Sequence, residues 1–187
     1  IGIKRAAPGI VRLVGKGPVT AILSLLNRPP LSVLKGTPLP VDLAEGTAEV
    51  AGTVAMPLKE QLDFAEVEYH LAGEVTDVRS AVLVPGHAMR ADRLRLVGDQ
   101  THITLAGEGR LDAVPARVSW RQPLGKDVGK ESRVEGTIEL SQALVDAFDV
   151  GLPAGTVSGA GEGRFTLDLA PGAPPQLRLS SELRGLR

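Results

Sequence analysis

The sequence has no cysteine, only five aromatic side chains and no excess charge of either sign. Without cysteine, the chain forms neither disulfides nor thiolate metal sites, and thiol catalysis is excluded. The 21 Lys and Arg residues against 22 Asp and Glu give a formal net charge of -1, so the chain lacks the basic field that attracts nucleic acid. Aromatic residues at 3% offer few rings for stacking bases or sugars. The apolar surface of this protein is therefore aliphatic, and a nucleic-acid partner is not expected.

The sequence also lacks a long apolar run. Its most apolar stretch, residues 21–26, is interrupted by Ser24 and is far shorter than the ~20 residues that a membrane-spanning helix needs. No secretory signal pattern is present, and the first residue is Ile rather than Met. We interpret the 187 residues as a single segment of a larger protein, any membrane anchor lying outside it.

Helical spacing is confined to two short stretches. Pro18 suits the first position of a helix and Pro29-Pro30 stops one, which predicts a helix near 18–27 whose apolar residues form one broad face. A Pro- and Gly-containing linker is predicted over residues 31–46. A second short helix is predicted near 142–149, with Ser141 as its cap.

From residue 47 to 184 the dominant signal is period two. Val67, Tyr69 and Leu71, for example, alternate with glutamates and a histidine, and similar runs follow at regular intervals. This pattern predicts a mainly β fold of about nine antiparallel strands with one aliphatic and one polar face. Nine strands extend ~40 Å, which two short helices cannot cover, so the sheet curls, splits into a sandwich or forms a trough. Periodicity alone leaves these three shapes open.

Residues able to carry catalysis or bind metal occur without the spacing that such sites need. His70, His87 and His102 have no neighbouring carboxylate at a ligand spacing, and no serine lies in a Gly-x-Ser-x-Gly setting. The glycine runs 107–109 and 159–163 do not lead into a phosphate-binding helix, so we interpret them as bulges or close-packed strand positions. We expect no enzyme activity, catalytic residue, metal site or cofactor.

Two functions of the aliphatic face remain open on these residues alone. It is either the core of a closed β-sandwich that serves as a structural or interaction module, or a surface that holds hydrocarbon.

Six segments along nearly the whole chain combine patterned β sequence with small markers and contain no catalytic signature. They are Gly15-Lys16-Gly17-Pro18-Val19, Ile22-Leu23-Ser24-Leu25-Leu26, Pro29-Pro30-Leu31, Met56-Pro57-Leu58, Glu135-Gly136-Thr137-Ile138-Glu139-Leu140-Ser141 and Leu177-Arg178-Leu179-Ser180-Ser181-Glu182-Leu183-Arg184-Gly185-Leu186. In these segments the chain resembles the central region of the YhdP branch of the AsmA-like proteins of Gram-negative bacteria.

The resemblance implies a segment of a periplasmic bridge that is anchored in the inner membrane and carries phospholipid between the inner and outer membranes. It implies a repeating β-groove, in which a curved, open antiparallel sheet has an aliphatic inner side and the two short helices cover or cap it. Expected partners are phospholipid acyl chains and flanking segments of the same protein. The candidate lining of the groove comprises Val67, Tyr69, Leu71, Leu94, Leu96, Ile103, Leu105, Val118, Trp120, Ile138, Leu140, Phe165, Leu167 and Leu179.

Overall fold

One antiparallel sheet organises the chain. In a computed structural model, which describes residues 8–28, 34, 39–60, 66–124, 131–153, 155–170 and 172–186, nine strands are hydrogen-bonded in chain order. The sheet is curved and open, with β1 and β9 at its edges. The strands are β1 (Pro8–Pro18), β2 (Glu45–Pro57), β3 (Glu68–Ser80), β4 (Met89–Asp99), β5 (His102–Leu111), β6 (Val114–Pro123), β7 (Ser132–Leu140), β8 (Gly161–Leu169) and β9 (Gln176–Ser181).

The predicted fold class is confirmed as a mainly β chain with an open, curved antiparallel sheet and two short helices. Of the three shapes that periodicity left open, a sandwich of two sheets is not the one adopted by the described strands, since all nine belong to one sheet.

The sheet begins earlier in the chain than the period-two pattern indicates. Strand β1 pairs with β2 over its full length, although the sequence predicts the β region only from residue 47. The reason is that Ile10-Val11 and Leu13-Val14 place apolar residues on both faces of an edge strand, so alternation is lost.

Both predicted helices are present, and neither has a side-chain hydrogen bond that caps its N-terminus. Helix α1 (Val19–Leu26) lies within the predicted range 18–27. Helix α2 (Gln142–Ala147) ends two residues before the predicted 149. Ser141 occupies the position before α2, but its side chain makes no capping hydrogen bond, and its Oγ is buried without a partner in the described part of the chain. Ser141 is therefore at the predicted cap position, but the prediction that it caps α2 is wrong because its side chain makes no hydrogen bond to the helix.

Two neighbouring strands each carry one extra residue at the same level of the sheet. Between β2 and β3 the register moves from Thr47↔Thr76 to Glu45↔Arg79, which leaves Asp77 as the extra residue with φ 54°. Between β4 and β5 the register shifts between Arg90 and Arg93. Each extra residue shifts the alternation by one position. As a result Val78 lies on the same face as Val75, and Ala91 on the same face as Leu94, although each pair is three residues apart.

Among the described residues, nine of the ten buried apolar side chains form two clusters that helix α1 and residues 39–44 pack against or contribute to, and the exception is Val114 on β6. One buried cluster is centred on β2, β3 and β4 and contains Val75, Val78 and Leu94. A second cluster joins Leu34, Ile103 and Leu124. Together they form a core on one face of the sheet.

We expect Leu124→Ala to lower the free energy of unfolding by about 2–5 kcal/mol, because it leaves a cavity beside Leu34 and Ile103. Leu124 is only 1% exposed, whereas Leu25 on α1 is 65% exposed. The control Leu25→Ala should therefore change it by less than about 0.5 kcal/mol. Urea unfolding followed by circular dichroism measures both. Equal effects of the two substitutions would contradict the described core.

Candidate functional site

The register places the predicted lining residues on one face of the sheet, which we call the apolar face. Residues that are directly opposite in an antiparallel pair point to the same side, and this relation can be followed from β2 to β9. Val67 precedes β3, and period two places it on the same side as Tyr69. The predicted residues within strands that share this face are Tyr69, Leu71, Leu94, Leu96, Ile103, Leu105, Val118, Trp120, Ile138, Leu140, Phe165, Leu167 and Leu179.

Part of the apolar face is covered by the chain itself. Helix α1 and residues 39–44, together called the strap, contact it: Val19 and Ile22 pack on the cluster around Leu94, and Leu39 and Val41 pack on the cluster around Ile103. Leu43 packs against both clusters. As a result Leu94 is 3% and Ile103 is 6% exposed. Four of the predicted lining residues lie in or against these clusters: Leu94, Leu96, Ile103 and Leu105.

Outside these clusters, Val67, Tyr69 and Leu71 at β3 are half-buried. On β6 to β9 the face is less buried, and we call this region the open part. Leu177 and Leu179 on edge strand β9 are 65% and 51% exposed. Further members of the open part, all half-buried, are Val118, Trp120, Val134, Ile138, Leu140, Phe165 and Leu167. Val134 and Leu177 were not among the predicted lining residues, although the same alternation places them on this face. An exposed aliphatic surface of several neighbouring side chains indicates a binding surface.

The opposite face is mostly polar, apart from a few apolar side chains such as Val14 and Val97, and carries ion pairs between strands. Lys16 Nζ lies 2.9 Å from Glu49 Oε2, and Arg93 Nη1 lies 3.4 Å from Glu74 Oε2. Arg117 pairs with Glu108 in the same way. These pairs are exposed, so each contributes little to stability, but together they keep this side of the sheet hydrated.

One carboxylate on the polar face joins the last three strands. Asp168 on β8 accepts a hydrogen bond of 2.6 Å from Arg133 on β7 and another of 2.6 Å from Arg178 on β9. The hydrogen bond from Arg133 is the main cause that lowers the pKa of Asp168 below its ordinary value. This bridge helps to hold β9, whose Leu177 and Leu179 border the open part.

At one end of the sheet, which we call the α2 end, a loop contact spans neighbouring hairpins. His87 in the β3–β4 loop lies 2.7 Å from Asp112 in the β5–β6 turn, measured from Nδ1 to Oδ2. Asp112 also accepts a hydrogen bond of 2.9 Å from the backbone N–H of Ala88, which with His87 lowers the pKa of Asp112. The His87 ring lies 4.4 Å from the ring of Phe148 after α2, measured between centroids. Helix α2 is thereby tied to this end of the sheet.

The three histidines do not form a common site. His70 lies on the polar face of β3, His87 lies at the α2 end, and His102 begins β5 at the opposite end. His102 Nδ1 lies 3.4 Å from Asp99, a pairing that the sequence spacing did not suggest. Among the described residues, no group of three or more His, Asp or Glu side chains is arranged to hold a metal ion.

The glycines of the run 107–109 occupy close-packed strand positions. A Cβ on Gly107 would lie 2.7 Å from the carbonyl oxygen of Arg93, and one on Gly109 would lie 2.6 Å from that of Arg90. Neither position leaves room for a side chain, so these glycines serve packing between strands.

Neither helix in the described residues has the length and apolar composition needed to cross a membrane. Comparison of the chain with protein families, curated proteins and solved structures finds no match.

We expect Asp168→Asn to lower the urea midpoint near pH 7 but to have a much smaller effect near pH 3. A carboxylate with a depressed pKa stabilises the fold above its unfolded pKa of about 3.9, and this contribution is lost as the pH falls through its folded pKa. The difference between wild type and variant should therefore shrink on acidification. Asp92→Asn is the control, since Asp92 is exposed and makes no ion pair with another described residue. A difference that stays constant with pH would contradict the bridge.

Proposed function

We propose that this chain is a periplasmic segment of an inner-membrane-anchored envelope protein, and that its apolar face carries phospholipid acyl chains between the inner and outer membranes. The observation that supports this most is the open part: an aliphatic surface on β6 to β9 that the strap does not cover and that reaches the exposed Leu177 and Leu179. The resemblance to the AsmA-like proteins points to the same cargo. No covalent chemistry is required.

The physical basis of binding is the removal of hydrocarbon from water. Burial of an alkyl chain is worth ~0.8 kcal/mol per CH₂ group, so a face that covers most of an acyl chain competes with a bilayer. The lining is mostly Val, Leu and Ile, whose contacts have no preferred direction. A chain held in this way slides without deep traps, while the ion-paired polar face stays in water.

The edge strands define where flanking segments of the same protein would join. Strands β1 and β9 each have a partner on one side only within the described sheet. Such edges present free backbone N–H and C=O groups that accept a further strand. In the proposed bridge, flanking segments pair there and extend the apolar face.

A second candidate function is that of an interaction module whose open part binds a protein rather than a lipid. The strap favours this alternative, because it demonstrates that aliphatic polypeptide side chains pack well on this face. The two functions differ in the occupant of the same surface.

Native mass spectrometry with lipid extraction, on the segment purified from a bacterial periplasm without detergent, separates these candidates. We expect phospholipid at a defined stoichiometry. A lipid-free mass, together with no uptake of added labelled phospholipid by the folded protein, would overturn the proposal and favour the interaction module.

Within the open part, we expect Leu167→Asp to abolish phospholipid uptake, because a carboxylate there would have to be desolvated against acyl chains. Thr166→Asp is the matched control: it is the neighbouring residue on β8, its side chain faces the polar side, and uptake should stay near wild type. Circular dichroism checks that both variants keep the sheet. Unchanged lipid uptake by folded Leu167→Asp would contradict the open part as the path.

A further inference from the structure

Three arginines lie in a row on the polar face near the α2 end. Arg79 on β3 is directly opposite Arg90 on β4, and Arg90 is directly opposite Arg110 on β5. Side chains in such positions start about 5 Å apart at Cβ, and like charges directly opposite destabilise a sheet. All three are exposed, and none forms an ion pair with a carboxylate in the part of the chain that the structure describes.

Five other cations on the same face form ion pairs between strands. Lys16, Arg93, Arg117, Arg133 and Arg178 each have a carboxylate partner from a neighbouring strand. Arg12, Arg95 and Arg121 on this face also lack a carboxylate partner among the described residues, so the row is distinguished by three unpaired guanidinium groups that are directly opposite one another on adjacent strands. Guanidinium groups without a carboxylate partner are suited to bind the oxygens of a phosphate.

Two of these arginines line an open cleft of about 320 Å³ at the edge where the polar and apolar faces meet. On one side the cleft has Arg79 and Arg90. Its apolar wall includes Leu43 of the strap together with Val82 and Met89.

The cleft also has acidic groups and a fixed wall. Asp42 and Glu45 line it, and neither makes an ion pair with the arginines among the described residues. Ser80 holds the wall in place: its Oγ donates a hydrogen bond of 2.5 Å to the carbonyl of Leu43 and accepts bonds of 3.1 Å from the N–H groups of Val82 and Leu83. The cleft is therefore lined by two arginines, two carboxylates and an apolar wall.

We infer that this cleft binds the zwitterionic headgroup of a phospholipid, with its phosphodiester on Arg79 and Arg90 and its ammonium group facing Asp42 and Glu45. The inference rests on the proposed function and names its substrate class. Leu43 connects the two regions, since it lines the cleft and also packs on the apolar face. The cleft adjoins the part of that face that the strap covers, and the open part begins on β6, two strands from β4 or ~10 Å away at ~4.8 Å per strand, a distance that the acyl chains of a bound lipid span. Phosphatidylethanolamine has both charges, whereas phosphatidylglycerol has only the phosphate.

The test is competition between phosphatidylethanolamine and phosphatidylglycerol in equimolar vesicles, with bound lipid counted by native mass spectrometry. Wild type should prefer phosphatidylethanolamine, and the double variant Arg79→Gln/Arg90→Gln should bind it about tenfold more weakly. Arg95→Gln is the matched control, because Arg95 is exposed, unpaired among the described residues and outside the cleft. The single variants repeat the measurement if the double variant does not fold.

Substitution of the acidic wall tests the ammonium contact separately. Asp42→Asn/Glu45→Gln should remove the preference for phosphatidylethanolamine over phosphatidylglycerol while the total lipid bound remains near wild type. Binding of phosphatidylethanolamine as in wild type by Arg79→Gln/Arg90→Gln, together with an unchanged preference in Asp42→Asn/Glu45→Gln, would overturn the headgroup site but leave the proposed function in place. No phospholipid on wild type would overturn both.

Inorganic phosphate distinguishes the source of the phosphate group. Added in excess over lipid, it should leave the bound phosphatidylethanolamine in place, because the lipid is also held by its acyl chains. Displacement of the lipid by inorganic phosphate would show a free-phosphate site and overturn the assignment to a headgroup.

Discussion

The phase of the strand register is the constraint on which the rest of the structure depends. In a sheet with period-two side chains, a slip by one residue in any strand pair would transfer that strand's aliphatic side chains to the hydrated face. From β2 to β9 the aliphatic side chains stay on one face, even where β3 and β4 each have an extra residue. Asp77 on β3 lies opposite Asp92 on β4, so both extra residues are inserted at the same level. Beyond them, Val78 and Ala91 return to the apolar face and are buried.

A sheet with one apolar face must bury that face or leave it available, and this chain does both. The strap is inserted between β1 and β2, and it covers the middle strands with side chains of the same aliphatic kind. It does not extend over β8 and β9, where Leu177 and Leu179 are mainly exposed. The strap thus divides an aliphatic face into a buried part on the middle strands and a part with exposed surface at β8 and β9. The Asp168 bridge stabilises the free part from the polar side.

Alternation in the sequence was sufficient to predict a mainly β antiparallel fold and which side chains share a face, because period two directly encodes the side of a strand. It left the choice between a sandwich and an open curved sheet undecided. It failed where another effect removed the alternation. Strand β1 has apolar residues on both sides, and the bulges change the apolar spacing from two to three between Val75 and Val78 and between Ala91 and Leu94. Which lining residues lie beneath the strap depends on contacts between distant segments such as Leu43 and Ile103, which no local pattern contains.

An aliphatic face distinguishes its ligands poorly, since its contribution scales with buried area and not with the position of any atom. The same property that permits hydrocarbon to slide therefore permits other apolar ligands to bind, as the packing of the strap on this face illustrates. Selectivity between lipids has to come from polar groups at the border of the face, where a headgroup remains partly hydrated. On the described surface, Arg79 and Arg90 lie at such a border with unpaired charges, next to the strap residue Leu43 that contacts both buried clusters. In the proposed lipid path, the open part on β6 to β9 thus supplies affinity through its area, and the cleft beside β3 and β4 supplies selectivity through its charges.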